Sequence, residues 1–325
     1  MIIDFHNHFY PPAYIDAIKK NSSFYKVTYD EDENPVIHSP GDYNIVVPGH
    51  RLVEVRSKVL KDAEVDMQVL SFTTPGTIVE PAERSVELAR MVNDTFGEII
   101  KTNADQFTAL ATLPLNAPEA CAGEMERAIN EVGLKGVMLY SNANGVALAD
   151  KRFWPMYEKA NEMEAVLYIH PTYPVGVEAM EDYMLMPLIG FCFDTTLAAA
   201  KLVFEGIPRR YPKIKWVLGH LGGAIPYLAE RLDRGYEAFP ECRVNIDQKP
   251  SEYLKKFYFD TVNFDLNALN LAVEFAGVDQ ILAGSDYPHQ IGSLKKMKES
   301  LKNLNISKSE REMIQSENTK KLLGL

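Results

Sequence analysis

Residues 2–8 read Ile-Ile-Asp-Phe-His-Asn-His, a short apolar run that ends in two histidines separated by one residue. The run Ile2–Phe5 is β-branched and aromatic, which predicts a buried β-strand. Side chains two positions apart on a strand point to the same side, so His6 and His8 can reach one point. The chain therefore opens with a strand that presents two imidazoles together.

Seven more runs of this kind follow, each succeeded by a longer segment with helical periodicity. The runs are Met67–Phe72, Phe107–Leu113, Gly136–Tyr140, Ala165–Ile169, Ile214–Leu218, Phe257–Asp260 and Gln280–Ala283. They are continuously apolar, as expected of strands covered on both faces. Eight β-then-α units predict an α/β protein with a (β/α)8 TIM barrel rather than an open doubly wound sheet. The sequence contains no Walker-type loop and no G-x-G-x-x-G after a strand, which disfavours the nucleotide-binding folds.

Three segments depart from the repeat. Residues 10–50, rich in Tyr, Pro, Asn and acidic groups, predict an insertion after the first strand. Residues 171–194, with several methionines and aromatics, are a candidate lid after the fifth strand. The tail from Ser293 onward predicts a pair of charged helices outside the barrel. Because no linker divides the chain, we expect residues 1–325 to form a single domain.

The composition is that of a soluble globular protein, with 46% apolar and 24% charged residues in 325. A net charge of −11 disfavours nucleic acid or an anionic membrane surface as the main partner. Three scattered cysteines favour a reducing compartment. We find neither a signal peptide nor a run approaching the roughly 20 apolar residues of a membrane helix, so we expect a cytoplasmic protein.

Polar residues that bind metals fall at the ends of the predicted strands. His6 and His8 close the first, His170 the fifth and His220 the sixth, and Asp286 lies just beyond the eighth. In a barrel these strand ends converge on one mouth. A single strand-end histidine more often satisfies local backbone groups, but this whole set favours a metal centre. Three imidazoles and one carboxylate suit Zn²⁺, and also Mn²⁺, Co²⁺ or Fe²⁺, with a position left for water or substrate.

His220 is predicted to act beside the metal rather than on it. A fifth protein ligand would crowd a site that must keep an open position, so we assign His220 to general acid/base work. A second metal is the competing interpretation. Two-metal barrels of this type often use a modified lysine at the end of the fourth strand, where this chain has Ser141-Asn142. One divalent ion is therefore expected.

Three other polar residues near the predicted mouth each have alternative roles. His50 could line the mouth, and His289 could support a ligand or belong only to its loop. Asp4 could orient a ligand from below or bond within the barrel floor.

Four motifs together resemble the amidohydrolase superfamily, and more narrowly its decarboxylase branch, typified by the aminocarboxymuconate-semialdehyde and γ-resorcylate decarboxylases. The motifs are Asp4-Phe5-His6-Asn7-His8, Tyr168-Ile169-His170-Pro171, Gly219-His220-Leu221-Gly222-Gly223 and Gly284-Ser285-Asp286-Tyr287-Pro288. The resemblance implies one divalent metal, often zinc, on His6, His8, His170 and Asp286, with His220 as the catalytic acid/base. It also implies release of CO2 from a small unsaturated or aromatic carboxylic acid.

Two arginines match substrate-binding positions of the aminocarboxymuconate enzyme. By this resemblance Arg51 binds the substrate carboxylate, and Arg231 enters the site of a neighbouring subunit, which would require a dimer or larger homo-oligomer. Each could equally be a solvated or salt-bridged helix charge.

The choice of reaction stays open at this stage. γ-Resorcylate-type enzymes usually carry Glu where this chain has His6, which favours the aminocarboxymuconate subgroup or hydratase and hydrolase relatives. The alternative function is a metal-dependent hydrolase or hydratase, in which a metal-bound water attacks the substrate and Asp286 or His220 shuttles the proton. A purely structural metal is disfavoured, since such zinc sites are closed and usually rich in cysteine.

Overall fold

The computed structural model describes residues 1–22, 24–39 and 41–325. Within these ranges, eight parallel strands form a barrel, and we number them barrel strands 1 to 8. They are Ile3–His8, Met67–Ser71, Phe107–Ala109 with Ala111–Thr112, Val137–Tyr140, Val166–His170, Lys215–Leu218, Tyr258–Asp260, and Ile281–Leu282 with Gly284–Tyr287. Each overlaps one of the eight predicted runs.

Barrel strands 3 and 8 each divide their hydrogen bonds between two neighbours. In strand 8, Ile281–Leu282 pairs with strand 7 and Gly284–Tyr287 with strand 1. In strand 3, Phe107–Ala109 pairs with strand 2 and Ala111–Thr112 with strand 4. The remaining neighbours also pair in parallel. The eight pairings close the ring and confirm the predicted (β/α)8 barrel.

Helices surround the barrel, in the segments between its strands. They are Val53–Ala63, Ala82–Thr102, Pro118–Arg127 with a π-helical turn Ala128–Val132, Trp154–Glu162, Phe191–Phe204, Ile225–Ala238, Pro250–Leu254 and Leu266–Ala276. In Ala82–Thr102 the buried residues Leu88, Val92, Phe96 and Ile99 recur every three or four positions. That spacing gives the helix one apolar face, which packs on the strands.

The predicted insertion folds into its own small elements. It contains the helix Pro12–Asn21, an antiparallel sheet of Lys26–Tyr29, Pro35–Ser39 and Asp42–Ile45, and the short helix Pro48–Arg51. The tail contains the predicted pair of helices, the second of which is continuous through a π-helical turn. It contains Leu294–Asn303, and then Lys308–Glu312 and Asn318–Leu323 joined through the π-helical turn Met313–Glu317.

Contrary to expectation, the 23 residues 182–204 are long and apolar enough to cross a membrane by length and composition, with a mean hydropathy of 1.4 over an 18-residue apolar window. Half of the apolar window is buried, however, and a core helix meets the same two criteria. The segment divides into the 3-10 turn Asp182–Met184, the π-helical turn Met186–Gly190 and the helix Phe191–Phe204. Phe191–Phe204 is the barrel helix that follows strand 5, and the two turns before it belong to the candidate lid.

Arg56 is fully buried beneath the barrel mouth. Its guanidinium donates to Asn7 Oδ1 at 2.7 Å, to Gln68 Oε1 at 2.9 Å and to the Gly49 carbonyl at 3.0 Å. It also donates to the carbonyl of His8. Burial lowers the pKa of Arg56 to about 10, so the side chain stays charged at neutral pH. Arg56 therefore fixes the end of strand 1 against strand 2.

We expect Arg56→Met to lower the free energy of unfolding by about 3 kcal/mol, because it leaves several buried acceptors without a donor. The matched control is Arg51→Met. Arg51 is half-buried and makes one weak hydrogen bond, 3.4 Å from Nε to the Val46 carbonyl, so a change within about 0.5 kcal/mol is expected. Urea denaturation of both variants measures the difference, and equal losses would contradict a structural role specific to Arg56.

Candidate metal centre and active site

The four predicted ligands lie together at the barrel mouth, on strands 1, 5 and 8. His6 Nε2 and His8 Nε2 are 3.0 Å apart, and they lie 3.3 Å and 3.1 Å from Asp286 Oδ1. The His170 ring centroid lies 5.3 Å from that of His6 and 4.7 Å from that of His8. All four side chains are buried.

Strand 1 reaches this geometry through an irregular register as well as through alternation. Its pairing with strand 8 shifts between His6 and Asn7, so that His6 lies opposite Gly284 and Asn7 opposite Tyr287. A Cβ at position 284 would lie only 2.7 Å from the Cβ of His6. Glycine is thus needed at position 284 to let the His6 side chain sit at the mouth.

The site has the features expected of a metal centre. His170 Nε2 and Asp286 Oδ1 are buried and have no hydrogen-bond partner among the described residues, although Asp286 Oδ1 makes close contacts with two imidazoles. Buried polar atoms rarely stay unpaired, and a cation would satisfy these together. Ligand atoms of His6, His170, His220 and Asp286 lie within 4.8 Å of one another, as do those of His8, Asp286 and His289.

The cluster is thus larger than predicted. His220 and His289 join the four expected ligands, and Asp286 belongs to both groups. The residues present fit a divalent metal ion, and the structure brings all of the predicted ligands within its reach.

The other ring nitrogen of each predicted histidine ligand has its own partner. His6 Nδ1 lies 2.5 Å from Asp260 Oδ2, and His8 Nδ1 lies 3.2 Å from Ser71 Oγ. His170 Nδ1 lies 2.9 Å from the carbonyl of Pro171. Such contacts set the tautomer and turn Nε2 toward a metal.

Two of these supporting residues were missed from the sequence. Asp260 and Ser71 each end a barrel strand, and that position was the available signal. Asp4 proves to belong to the barrel floor. Its carboxylate accepts hydrogen bonds from Gln68 Nε2 at 2.7 Å, from Ser285 N at 3.0 Å and from Ser285 Oγ at 2.6 Å.

The protonation states of these side chains are close to those that a metal requires. Burial lowers the pKa of His8 and of His170 well below 6.5, so both rings are neutral. Burial would raise the pKa of Asp286, but the surrounding histidines outweigh it and hold that pKa well below 3.8. Burial also opposes a charge on His6, yet Asp260 and Asp286 raise its pKa to about 10. A metal would displace the proton of His6 on binding.

His220 lies at the floor of the cavity above the cluster. Its side chain is 12% exposed, and Nε2 lies 3.8 Å from Asp286 Oδ2. His220 and Leu221 have φ angles of 51° and 56°, in the left-handed region that residues other than glycine rarely adopt. Such conformations cluster at functional sites, where the surrounding structure enforces them.

The cavity has a volume of about 320 Å³ and two different walls. One wall comes from the segment predicted as a lid, and it is largely apolar, with Tyr183, Met184, Pro187, Leu188 and Phe191. A second, more polar wall includes Asp42, Tyr43 and Asn44 of the insertion, and Thr73, Thr74, His289 and Gln290 also line the cavity. Among the described residues, no lysine or arginine lines this cavity.

Neither predicted substrate-binding arginine lies on the cavity wall of its own chain. Arg51 is directed to the Val46 carbonyl, at 3.4 Å. Its position does not support the expected contact with a substrate carboxylate. Arg231 is exposed on the helix Ile225–Ala238 and does not line this cavity. The cross-subunit role of Arg231 therefore stays a prediction.

His50 and His289 extend the cluster away from the metal site. His50 Nε2 lies 3.4 Å from His289 Nδ1, and His289 Nε2 lies 3.4 Å from Thr73 Oγ1. The rings of His289 and His8 are 4.8 Å apart. Of this pair, His289 lines the cavity, whereas His50 is buried behind it.

Comparison with known proteins identifies the family. An amidohydrolase family model matches residues 3–325, and the chain belongs to this family. It is 34% identical to a 2-amino-3-carboxymuconate-6-semialdehyde decarboxylase of Dictyostelium discoideum, over 84% of this chain and 76% of that protein. It is 29% identical to a 6-methylsalicylic acid decarboxylase of Penicillium expansum, over 88% of this chain and 85% of that protein.

A solved structure shares the whole fold. A dihydroxybenzoic acid decarboxylase of Polaromonas, crystallised with manganese and the inhibitor 2-nitroresorcinol, superimposes with a TM-score of 0.84 at 23% identity. The match covers all of this chain and 97% of that one.

The buried His50 predicts a pH dependence of stability. Burial lowers its pKa well below 6.5, so His50 is neutral when folded but takes up a proton on unfolding below about pH 6.5. The stability present above that pH is lost as the pH falls. Compared with His50→Gln, the wild type should lose up to about 1.4 kcal/mol of relative stability per pH unit below 6.5. Denaturation across this range measures the difference, and parallel curves would refute a neutral His50.

Proposed function

We propose that this chain is a metal-dependent carboxy-lyase that releases CO2 from a small unsaturated or aromatic carboxylic acid. The observation that carries the proposal is the convergence of His6, His8, His170 and Asp286 beside His220 beneath a cavity. Its support from the comparisons is that the chain belongs to the amidohydrolase family and that the relatives described above are named as decarboxylases.

One divalent ion would be held by His6, His8, His170 and Asp286. When bound, such an ion supplies positive charge that holds the substrate carboxylate and a neighbouring oxygen. We propose zinc as the resident ion, because three imidazoles and one carboxylate suit it. The same donors also accept Mn²⁺, Co²⁺ and Fe²⁺, and manganese is present in the related Polaromonas structure.

We propose His220 as the acid. Its ring lines the cavity, and its Nδ1 has no hydrogen-bond partner among the described residues. Protonated His220 transfers its proton to the substrate carbon that bears the carboxylate. The bond to the carboxylate then breaks, CO2 leaves, and the electron pair of that bond restores the unsaturated system. One proton is taken up at carbon and one CO2 is released.

The walls of the cavity indicate which acids fit. The apolar wall that includes Phe191 and Leu188 can pack against a planar ring, while the Asp42 carboxylate offers hydrogen-bond acceptors and the Asn44 amide offers both a donor and an acceptor. Burial raises the pKa of Asp42 to about 6, so it is still mostly anionic at neutral pH. It would repel a second carboxylate and accept a hydrogen bond from a hydroxyl or amino group. We therefore favour monocarboxylic hydroxy-aromatic acids over dicarboxylic ones.

The first test combines metal analysis with an assay of CO2 release on one purified sample. Hydroxybenzoic and carboxymuconate-type acids form the substrate panel, with and without a chelator. We expect about one divalent ion per chain and CO2 release that the chelator abolishes and added metal restores. The same metal content with no CO2 from any acid would refute decarboxylation. The search would then move to the hydrolysis of lactones or amides, or to hydration.

His220→Asn should bind metal as the wild type does, and lower kcat about 10²- to 10⁴-fold through loss of the acid. His38→Asn is the matched control, since His38 contacts Thr28 in the insertion and does not line the cavity. Its turnover should stay close to that of the wild type. Loss of metal from His220→Asn would instead make His220 a ligand.

We also propose a homodimer in which Arg231 completes the partner's cavity. The proposal is supported by the exposure of Arg231, the exposed Tyr227 on the same helix and the lack of a lysine or arginine among the described cavity residues. The cytoplasm is its proposed location, and unpaired Cys121, Cys192 and Cys242 are consistent with that.

Subunit mixing tests the role of Arg231. Arg231→Ala and His220→Asn should each be nearly inactive as homodimers. Because a mixed dimer has one site with an intact His220 and an intact Arg231, unfolding and refolding the two together should restore about one quarter of wild-type activity. No recovery, with mixed dimers verified by mass spectrometry, would refute the cross-subunit role.

A further inference from the structure

Asp260, at the end of barrel strand 7, is fully buried, and each of its carboxylate oxygens contacts at least two polar groups. Oδ2 lies 2.5 Å from His6 Nδ1 and accepts from the backbone N–H of His220 at 3.0 Å. Oδ1 accepts from the backbone N–H groups of Leu221 and Val262, each at 2.9 Å. One carboxylate therefore contacts a predicted metal ligand and the backbone of the predicted acid.

We propose that Asp260 is a positioning residue that couples the two halves of the site. It fixes the tautomer of His6 for metal binding and fixes the turn that presents His220 to the substrate. The functional meaning of the coupling rests on the function proposed above, whereas the two structural effects can be measured without any turnover.

The first effect concerns His6. An ionised carboxylate can only accept a hydrogen bond, so His6 Nδ1 must carry the proton that it shares with Asp260. His6 Nε2 is then directed to the cluster, 3.0 Å from His8 Nε2 and 3.3 Å from Asp286 Oδ1. Once the Nε2 proton leaves, this nitrogen has a lone pair for a metal.

The second effect concerns the backbone at His220. His220 and Leu221 are consecutive residues in the left-handed region, an arrangement that costs free energy for side chains other than glycine. Asp260 accepts both of their N–H groups, one on each oxygen. The carboxylate thus stabilises a turn that would otherwise relax and carry the imidazole of His220 away from the cavity.

Asparagine, although nearly the same size, cannot replace this carboxylate. If its oxygen faces Leu221 and Val262, its amide group faces His6 and the N–H of His220. His6 Nδ1 must then accept, its proton moves to Nε2, and that nitrogen can no longer bind a metal. In the opposite orientation the amide group faces the N–H groups of Leu221 and Val262. In either orientation, the amide group of the substituted side chain faces at least one backbone N–H donor.

The experiment uses Asp260→Asn in the full-length, metal-free protein labelled with nitrogen isotope at histidine only. The seven histidines make both readouts resolvable. Ring correlations report the tautomer or charge of His6, and the backbone amide of His220 reports its hydrogen bond through exchange with water. We expect at least one of these signals to change, and calorimetric metal affinity to fall about 10- to 100-fold.

Asp233→Asn is the matched control for loss of a buried carboxylate. Asp233 is buried in the helix Ile225–Ala238 and accepts from Ser251 N at 2.9 Å and from Ser251 Oγ at 2.7 Å. This control should lose thermal stability but keep the wild-type signals of His6 and His220, and wild-type metal affinity. Asp260→Asn with unchanged histidine signals, or with unchanged metal affinity, would overturn the proposal.

Measurements of kcat separate the effect of Asp260 on His6 from its effect on His220. At saturating metal we expect kcat of Asp260→Asn to stay about 100-fold low, because a small displacement of His220 persists after the metal site is filled. Full recovery of kcat would show that Asp260 positions only His6, and would overturn the coupling. A wild type that binds metal but releases no CO2 would refute the proposed function alone, since the isotope and affinity measurements would still decide the case for Asp260.

Discussion

Strand 8 of the barrel changes partners between Leu282 and Gly284, and the whole site depends on this step. Before it the strand pairs with strand 7, and after it with strand 1. The change closes the ring and places Asp286 against His6 and His8. Because the first and last strands of the barrel meet there, a loss of register between them would separate the proposed metal ligands, whatever the state of the outer helices.

Buried charge is the second constraint. The barrel mouth has a lower layer of polar groups around Arg56 and Asp4 and an upper layer at the proposed metal site, and the two layers differ in how fully their groups are hydrogen-bonded. In the lower layer Arg56 and Asp4 have several hydrogen-bond partners each, so this layer is complete without a ligand. In the upper layer atoms of His170 and Asp286 lack partners among the described residues. The lower layer thus holds the strands rigidly, and the upper layer is left ready for a cation and a substrate.

Two of the three segments that depart from the repeat, the insertion and the candidate lid, line the cavity and so determine which substrates can enter it. The insertion supplies the acceptor wall around Asp42, and the segment after strand 5 supplies the apolar wall around Phe191. Neither wall belongs to the barrel itself, so related barrels can keep one reaction while changing the acid that they accept. This separation fits a family whose relatives named here act on different carboxylic acids.

The sequence by itself determined the eight strands, most of the outer helices and the polar residues at the strand ends. These features depend on local periodicity and on the common geometry of parallel strands. Only the tertiary structure decided the partners of those residues. Asp260 contacts His6 and the backbone of His220, Arg56 joins Asn7 to Gln68, and Arg51 contacts the Val46 carbonyl. Such contacts link distant segments, and their geometry is fixed by register shifts and packing that no local pattern records.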